Sequence, residues 1–384
     1  MTQSLAQELT QFVRSHYGTE SGAIPLHAPV FQGNEKKYLA ECIDSTFVSY
    51  LGKYVTQLEA MTQEYTGTKH AIAIGNGTLA LHAALHVLGA NSESEVITQT
   101  LTFVATVNAI RYTGAAPVFL DSSRTTLGMC PEALKVFLQE NAELRDGKAY
   151  NRKTGKSFAA CVPMHVFGHC VDLDGLIKIC DSYGIPLLED AAESLGSFYK
   201  GRHTGVIGKL GILSYNGNKI VTTGGGGMIL TNDDALAARL RHITTTAKKK
   251  HAWAFEHDEL GFNYRMPNVN AAVGCAQMER LPQMLADKRA TAEAYARFFA
   301  QKGIPFIAEP EGTKSNYWLN AILAGSRQER DAILEYTNSH GVMTRPVWEP
   351  MHRLPMHADF QRGPLTNAEW LADRLVNIPS GVRP

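Results

Sequence analysis

The chain has 384 residues and a mass of 42.1 kDa, with 37 basic and 37 acidic side chains and therefore a formal charge of zero. With 44% hydrophobic and 19% charged residues it can bury a large core and is not a disordered chain. The charge balance argues against nucleic-acid binding, which draws on a broad basic surface, and no apolar run approaches the roughly 18 residues of a membrane span. The first twenty residues, interrupted by Glu8, Arg14 and Glu20, lack the apolar centre of a secretory signal. Six cysteines without a C-x-x-C pair read as reduced, mostly buried thiols, so a cytoplasmic enzyme is expected.

In chain order, the segment up to about Gly52 is expected to pack across domains or onto a partner subunit. Short apolar runs predict strands at 71–74, 95–98, 117–121, 159–166, 186–189, 211–215 and 228–231. Helical patterns lie between them at 78–88, 103–112, 131–139 and 173–183, and Gly89 and Gly184 follow two of these where left-handed caps belong. Strand and helix in alternation predict an α/β fold with a mainly parallel sheet buried on both faces. Beyond residue 232 the texture changes. A helix at 233–243, a polar loop, one long helix from 268 to about 301, strands at 304–307 and 317–323 and a helix at 328–340 follow. The expected organisation is a large domain over 1–265, including the N-terminal segment, and a smaller α+β domain over 266–384.

Three segments suggest chemistry. Ala71-Ile-Ala-Ile-Gly-Asn-Gly-Thr78 runs from a buried strand through a glycine turn into a helix. Free amides at the helix start, the positive end of its dipole and the Thr78 hydroxyl suit a phosphate. The spacing does not match the dinucleotide fingerprint, which disfavours NAD. In Pro186-Leu-Leu-Glu-Asp-Ala-Ala-Glu193, Asp190 sits at the carboxyl end of a buried strand, where open α/β sheets bind ligands. A buried carboxylate needs a cation, whether a metal, an arginine or a protonated heterocycle. The third segment, Leu213 to Met228, places Lys219 between a strand and a run of four glycines that is not a P-loop. A lysine in a desolvated pocket can form a Schiff base with an aldehyde. A phosphate cradle, a strand-end Asp and a lysine 29 positions later form the set of groups that holds pyridoxal 5'-phosphate.

At these motifs the sequence resembles the DegT/DnrJ/EryC1/StrS sugar aminotransferases, which are fold type I pyridoxal-phosphate enzymes. The resemblance is carried by Gly75-Asn-Gly-Thr-Leu-Ala-Leu81, Pro186 to Gly196, Ser214-Tyr-Asn-Gly-Asn-Lys219 with Thr222 to Met228, and Gly261-Phe-Asn-Tyr-Arg-Met266. Gly33-Asn-Glu-Lys-Lys-Tyr38 and Phe47-Val-Ser-Tyr-Leu-Gly-Lys-Tyr54 look most like the branch serving legionaminic acid and related sugars. That branch aminates C4 of UDP-4-keto-6-deoxy-N-acetylglucosamine. The resemblance implies that Lys219 is the Schiff-base lysine and proton shuttle and that Asp190 pairs with the pyridine nitrogen. It implies that Gly77, Thr78 and Ser214 hold the phosphate, that Phe103 stacks on the ring, and that Glu193 lies near the ring oxygen. Asn263 would reach the phosphate of a neighbouring subunit, which implies a homodimer with composite sites. L-glutamate is the implied amino donor, and both half-reactions would share one site.

Substrate contacts are expected from His165, Tyr50, Lys248, Arg345 and His352. The tryptophans and tyrosines around 344–352 are expected in the core. Metal ligation by His165 and His169 is disfavoured because no third ligand accompanies them. A Ser214-based triad is disfavoured because no nucleophile elbow surrounds it. Two rivals keep the cofactor: an aminotransferase for a small keto acid, with Arg345 as its carboxylate clamp, and a pyridoxal-phosphate-binding regulator without turnover.

Overall fold

The computed structural model describes residues 2–383. Seven strands form one twisted sheet in the order His70–Ile74, Gly227–Thr231, Leu210–Ser214, Leu188–Asp190, Ser157–Val162, Ser94–Gln99, Ala116–Leu120. Parallel bridges at Cys161–Leu187 and Met164–Asp190 join its two halves. Of these seven, Gly227–Thr231 alone runs antiparallel to its neighbours. The strands are buried because helices cover both faces, which is why they read as short continuous apolar runs. The parallel arrangement brings Ile74, Asp190 and Ser214 to the same edge of the sheet, together with the start of the antiparallel strand at Gly227. A hairpin, Ala142–Arg145 with Lys148–Asn151, extends the sheet beyond Ser157.

Four predicted elements differ, three of them for a local reason. The strand predicted over 159–166 ends at Val162, because Pro163 has no N–H to continue the ladder; its carbonyl instead accepts from the Asp190 amide at 2.9 Å. The single helix predicted over 268–301 is two, Asn268–Glu279 and Leu281–Ala300, meeting at Arg280. Pro282 is the cause, since a proline ring fits a helix's first turn but clashes inside one. The strand predicted from 317 begins at Asn320, because Tyr317 turns the chain with φ of 47°. Near Phe306 the expected strand is a single bridge to Ile322.

The N-terminal segment packs in two places. Leu9 and Val13 of the helix Thr2–Tyr17 bury against Tyr295, Phe299, Ile333 and Val376. Helix Lys53–Thr66 lies on Asn268–Glu279 and delivers Glu59 into the protein. Glu59 is buried and accepts from the Ala73 amide (2.9 Å), Arg265 Nη2 (2.6 Å) and Arg241 Nη1 (3.0 Å). It thereby ties the first strand to the 261–266 segment, whose Tyr264 carbonyl accepts from Gly75. Among the described residues no helix is long and apolar enough to cross a membrane.

Glu59→Ala leaves the largely buried Arg265 without its counter-charge, and its Nε already lacks a partner. The expected loss is about 3–5 kcal/mol of folding stability, read by urea denaturation against the parent chain.

Candidate active site

The phosphate-like cradle begins where strand His70–Ile74 turns through Gly75 and Asn76 into helix Gly77–Val87. Asn76 is extended, and its side-chain oxygen accepts from Leu79 N at 2.9 Å. This caps one first-turn amide and leaves those of Gly77 and Thr78 without intrahelical partners. Space is tight at Gly77: a Cβ there would stand 3.2 Å from Ser214 Cβ and 3.3 Å from its Oγ, so Ser214 would have to give by a few tenths of an ångström. At Gly227 a Cβ would meet the Asn76 carbonyl at 2.7 Å and Gly77 N at 2.9 Å. The antiparallel strand thus presses its first residue against the turn and sets the Ser214 hydroxyl beside the helix start.

Asp190 ends the strand Leu188–Asp190 with 2% of its surface exposed. Its carboxylate accepts from Thr106 Oγ1 at 2.7 Å and from the Ala192 amide at 3.2 Å. Burial pushes this carboxyl above the usual range, while the Thr106 hydroxyl, the Ala192 amide and the charge of Lys219 oppose the rise. Glu189, one residue earlier, faces the other side of the strand. It accepts from the amides of Gly205 (2.7 Å), Ile207 (2.7 Å) and Gly208 (2.6 Å) and lies 3.1 Å from His165 Nε2. Burial alone would raise Glu189; His165 and the amides outweigh it and hold the carboxyl low.

Lys219 stands on the turn after strand Leu210–Ser214, its amide bonded to Asn216 O. Its Nζ lies 3.2 Å from Glu193 Oε1 and 3.8 Å from the centre of the Trp318 ring, close enough for a cation–π contact. Glu193 is 4% exposed, and its second oxygen accepts from the Phe167 amide at 2.9 Å. Burial raises its carboxyl to about 7, against the pull of Lys219 and the Phe167 amide.

A cavity of about 370 Å³ collects Gly77, Thr78, Phe103, Asp190, Glu193, Ser214 and Lys219. Phe103 is half exposed at its mouth, 6.0 Å from Trp348. Thr106, Asn218, Trp318 and Trp348 also line it; sequence reasoning gave none of these a role. Trp348, expected in the core, is a wall of the cavity. Thr106 follows the aromatic at 103 by three positions, which puts it on the helical turn above Asp190; that spacing was the available signal. Trp318 reaches Lys219 from about 100 residues away, with no local pattern to mark it.

The residues expected at the substrate lie elsewhere. His165 is fully buried beneath the sheet edge, held by Glu189 and the Val171 amide (3.3 Å), and does not reach the cavity. His352 bonds Thr100 Oγ1 at 2.8 Å and approaches Glu369 at 3.2 Å, pinning the turn at 351–353 to the end of a strand. Arg345 is exposed and bonds Asn338 Oδ1 and the Thr344 carbonyl, both at 3.0 Å. Lys248 covers the Phe255 ring at 4.0 Å. Tyr50 and Asn263 are exposed, outside the lining of this chain's own cavity.

A sequence model of the DegT/DnrJ/EryC1/StrS aminotransferase family matches residues 29–383. The chain is 35% identical over 358 residues to GDP-perosamine synthase of Escherichia coli O157:H7, covering 93% of each. It is 36% identical to EpsN of Bacillus subtilis (strain 168), named for a pyridoxal phosphate-dependent aminotransferase, over 87% of this chain and 83% of that one. The crystal structure of the aminotransferase TlmJ from Streptoalloteichus hindustanus superposes with a TM-score of 0.84 at 27% identity, over 94% of both chains. The chain belongs to the DegT/DnrJ/EryC1/StrS family: it is a pyridoxal-phosphate-dependent sugar aminotransferase of fold type I.

Gly77→Ala crowds Ser214 where the cradle is narrowest. It is expected to weaken pyridoxal phosphate binding by roughly tenfold, about 1.4 kcal/mol, with little change in the stability of the cofactor-free protein. A thermal-shift titration with the cofactor reads both.

Proposed function

We propose that this member of the family transfers an amino group from L-glutamate to C4 of a nucleotide-linked 4-keto-6-deoxy sugar, acting in the cytoplasm as a homodimer. The observation that carries the reading is the convergence of Lys219, Asp190 and the Gly77–Thr78–Ser214 cradle on one cavity. These residues fit pyridoxal phosphate. The cradle joins free helix-start amides to the Ser214 hydroxyl, on which a Cβ at position 77 would press, and Asp190 is a buried carboxylate aligned by two donors on the same cavity.

The cofactor, when bound, supplies an electron sink and the carbonyl carbon through which the amino group passes. The chain supplies the rest. The amides of Gly77 and Thr78, with the hydroxyls of Thr78 and Ser214, bind the phosphate at the helix N-terminus. Asp190 holds a proton on the ring nitrogen; Thr106 and Ala192 fix which way its oxygens face. Phe103 would cover the ring. Lys219 Nζ would hold the aldehyde carbon and, once the amino donor has displaced it, is the free amine that would take the α-proton of glutamate and deliver a proton to C4 of the sugar. Both substrates use the same amine and cavity, so ping-pong kinetics follow.

For the acceptor, the Gly33–Tyr38 and Phe47–Tyr54 motifs favour UDP-4-keto-6-deoxy-N-acetylglucosamine. The relatives named for GDP-perosamine support a second reading, a GDP-linked sugar. The homodimer is supported by apolar side chains left in water by one chain: Trp253, Phe255 and Leu260, and Ile43, Phe47 and Leu51. Asn263 is exposed at the end of the first of these segments, which supports its proposed role at a partner's cofactor phosphate.

The purified protein is expected to show a visible band of lysine-bound pyridoxal phosphate that glutamate bleaches. Amine transfer from the bleached enzyme should follow with one of the two keto sugars, and rejection of both would overturn the acceptor assignment. Lys219→Ala should lose the band and lower turnover by roughly 10³-fold or more, since acid–base catalysis alone contributes about 10²–10⁴. Sedimentation velocity should give a dimer, and Leu260→Asp should shift it toward monomer.

A further inference from the structure

Two carboxyls line the cavity, and the cofactor reading gives Asp190 the ring nitrogen and sets Glu193 near the ring oxygen without a proton-moving task. We propose that Glu193 is the proton-exchange partner of Lys219, taking a proton from its ammonium when the amine must act as a base and returning it when the amine must act as an acid. The proposal rests on the reading of Lys219 as the proton-moving residue. In the exchange an N–H bond at Nζ breaks, its electron pair stays on nitrogen, and an O–H bond forms at Glu193 Oε1. Nothing is oxidised or reduced, and the pair carries no net charge before or after.

Two segments distant in sequence, at 167 and at 316–318, hold the two atoms together. Glu193 Oε1 lies 3.2 Å from Nζ, and Oε2 is fixed by the Phe167 amide at 2.9 Å. That amide is presented by a backbone with φ of 57°, a conformation side-chain-bearing residues adopt only when their surroundings impose it. Asn316 Nδ2 donates to the Glu193 and Leu195 carbonyls at 2.8 and 2.9 Å, which sets the height of the glutamate in the site. Trp318 then covers Nζ, its ring held by a 2.8 Å bond from Nε1 to Asn218 O. The indole keeps bulk water off the amine, so a proton leaving Nζ on this side meets the carboxylate rather than solvent. A carboxylate needed only to hold Phe167 would use one oxygen; here the other is aimed at the lysine.

The charged groups facing Glu193 are Lys219, which favours its ionised form, and Asp190, which disfavours it. Burial outweighs the lysine and holds the carboxyl at about 7, so both of its forms are accessible at neutral pH. Behind Trp318, the buried Lys288 also changes charge near pH 7, and its Nζ donates to the Trp318 carbonyl at 3.1 Å. A test must therefore distinguish an acid from an amine.

Infrared pH-difference spectra of the holoenzyme, before and after glutamate, make that distinction, since only a protonated carboxyl gives its carbonyl band. The wild type should gain such a band as pH falls through about 7. Asp190→Asn should keep it and Glu193→Gln should lose it. Glu193→Gln preserves an oxygen for the Phe167 amide. It should slow the single-turnover reaction with glutamate by roughly 10²-fold and flatten its pH dependence near neutrality, both read at a cofactor concentration that saturates the variant. A wild-type spectrum without the band, or a Gln variant that changes only cofactor affinity or melting temperature, overturns the proposal. A wild-type cofactor band unresponsive to glutamate instead counts against the aminotransferase reading, and the infrared band is scored without turnover.

Discussion

Three acidic side chains within five positions, Glu189, Asp190 and Glu193, are taken almost completely out of water at one strand end. Desolvation of an ionised carboxylate costs several kcal/mol unless protein dipoles or charges replace the water, and much of the surrounding backbone is arranged to do so. Glu189 takes three amides from the 205–208 turn and a contact from His165. Asp190 takes one hydroxyl and one amide, fewer donors than its depth calls for, and faces the cavity. Glu193 takes one amide and one amine. The gradient from satisfied to under-satisfied runs from beneath the sheet edge to the cavity, and it separates the structural carboxylate from the two available to a ligand.

This gradient also explains why a histidine beside the motif does not line the cavity. His165 is in sequence where a pocket-lining side chain is expected, after a strand and near its carboxyl end. Pro163 ends the strand two residues earlier, and the chain then follows Asp190 across the sheet edge: the Asp190 amide bonds Pro163 O and the His165 amide bonds Asp190 O. With its main chain locked to Asp190, the His165 ring points to Glu189 instead.

The fold was largely legible because parallel strands covered on both faces are short, apolar and punctuated, and because the helices between them carry amphipathic periodicity and glycine caps. Pro163 and Pro282 were in view, yet periodicity on either side outweighed them, and the predicted elements ran through breaks the ring imposes. In the site, the lysine, the aspartate and the cradle were readable because each sits at a strand end with a local signature of glycine or charge. Trp318, Trp348 and Thr106 have no such signature. Their places depend on how the C-terminal half and the helix after Phe103 close over the sheet edge, and apolar residues of that kind satisfy a core reading equally well until the chain is folded.

The segment 245–263 shows the same logic turned outward. Its Trp253, Phe255 and Leu260 are each about four-fifths exposed, although a lone chain gains nothing by presenting them to water. The segment is nevertheless tied down: Arg239 pairs with Glu259, His242 with Asp258 at 2.7 Å, and the Thr246 amide bonds Phe262 O. Ion pairs at this exposure add little stability by themselves, but several in one short segment limit the conformations it samples. An apolar surface held in one shape loses little further entropy when covered. The arm is thus an exposed apolar surface held in one shape, and Asn263 lies where it rejoins the sheet edge beside Gly75 and Tyr264. That placement is the one the proposed homodimer with shared sites would draw on.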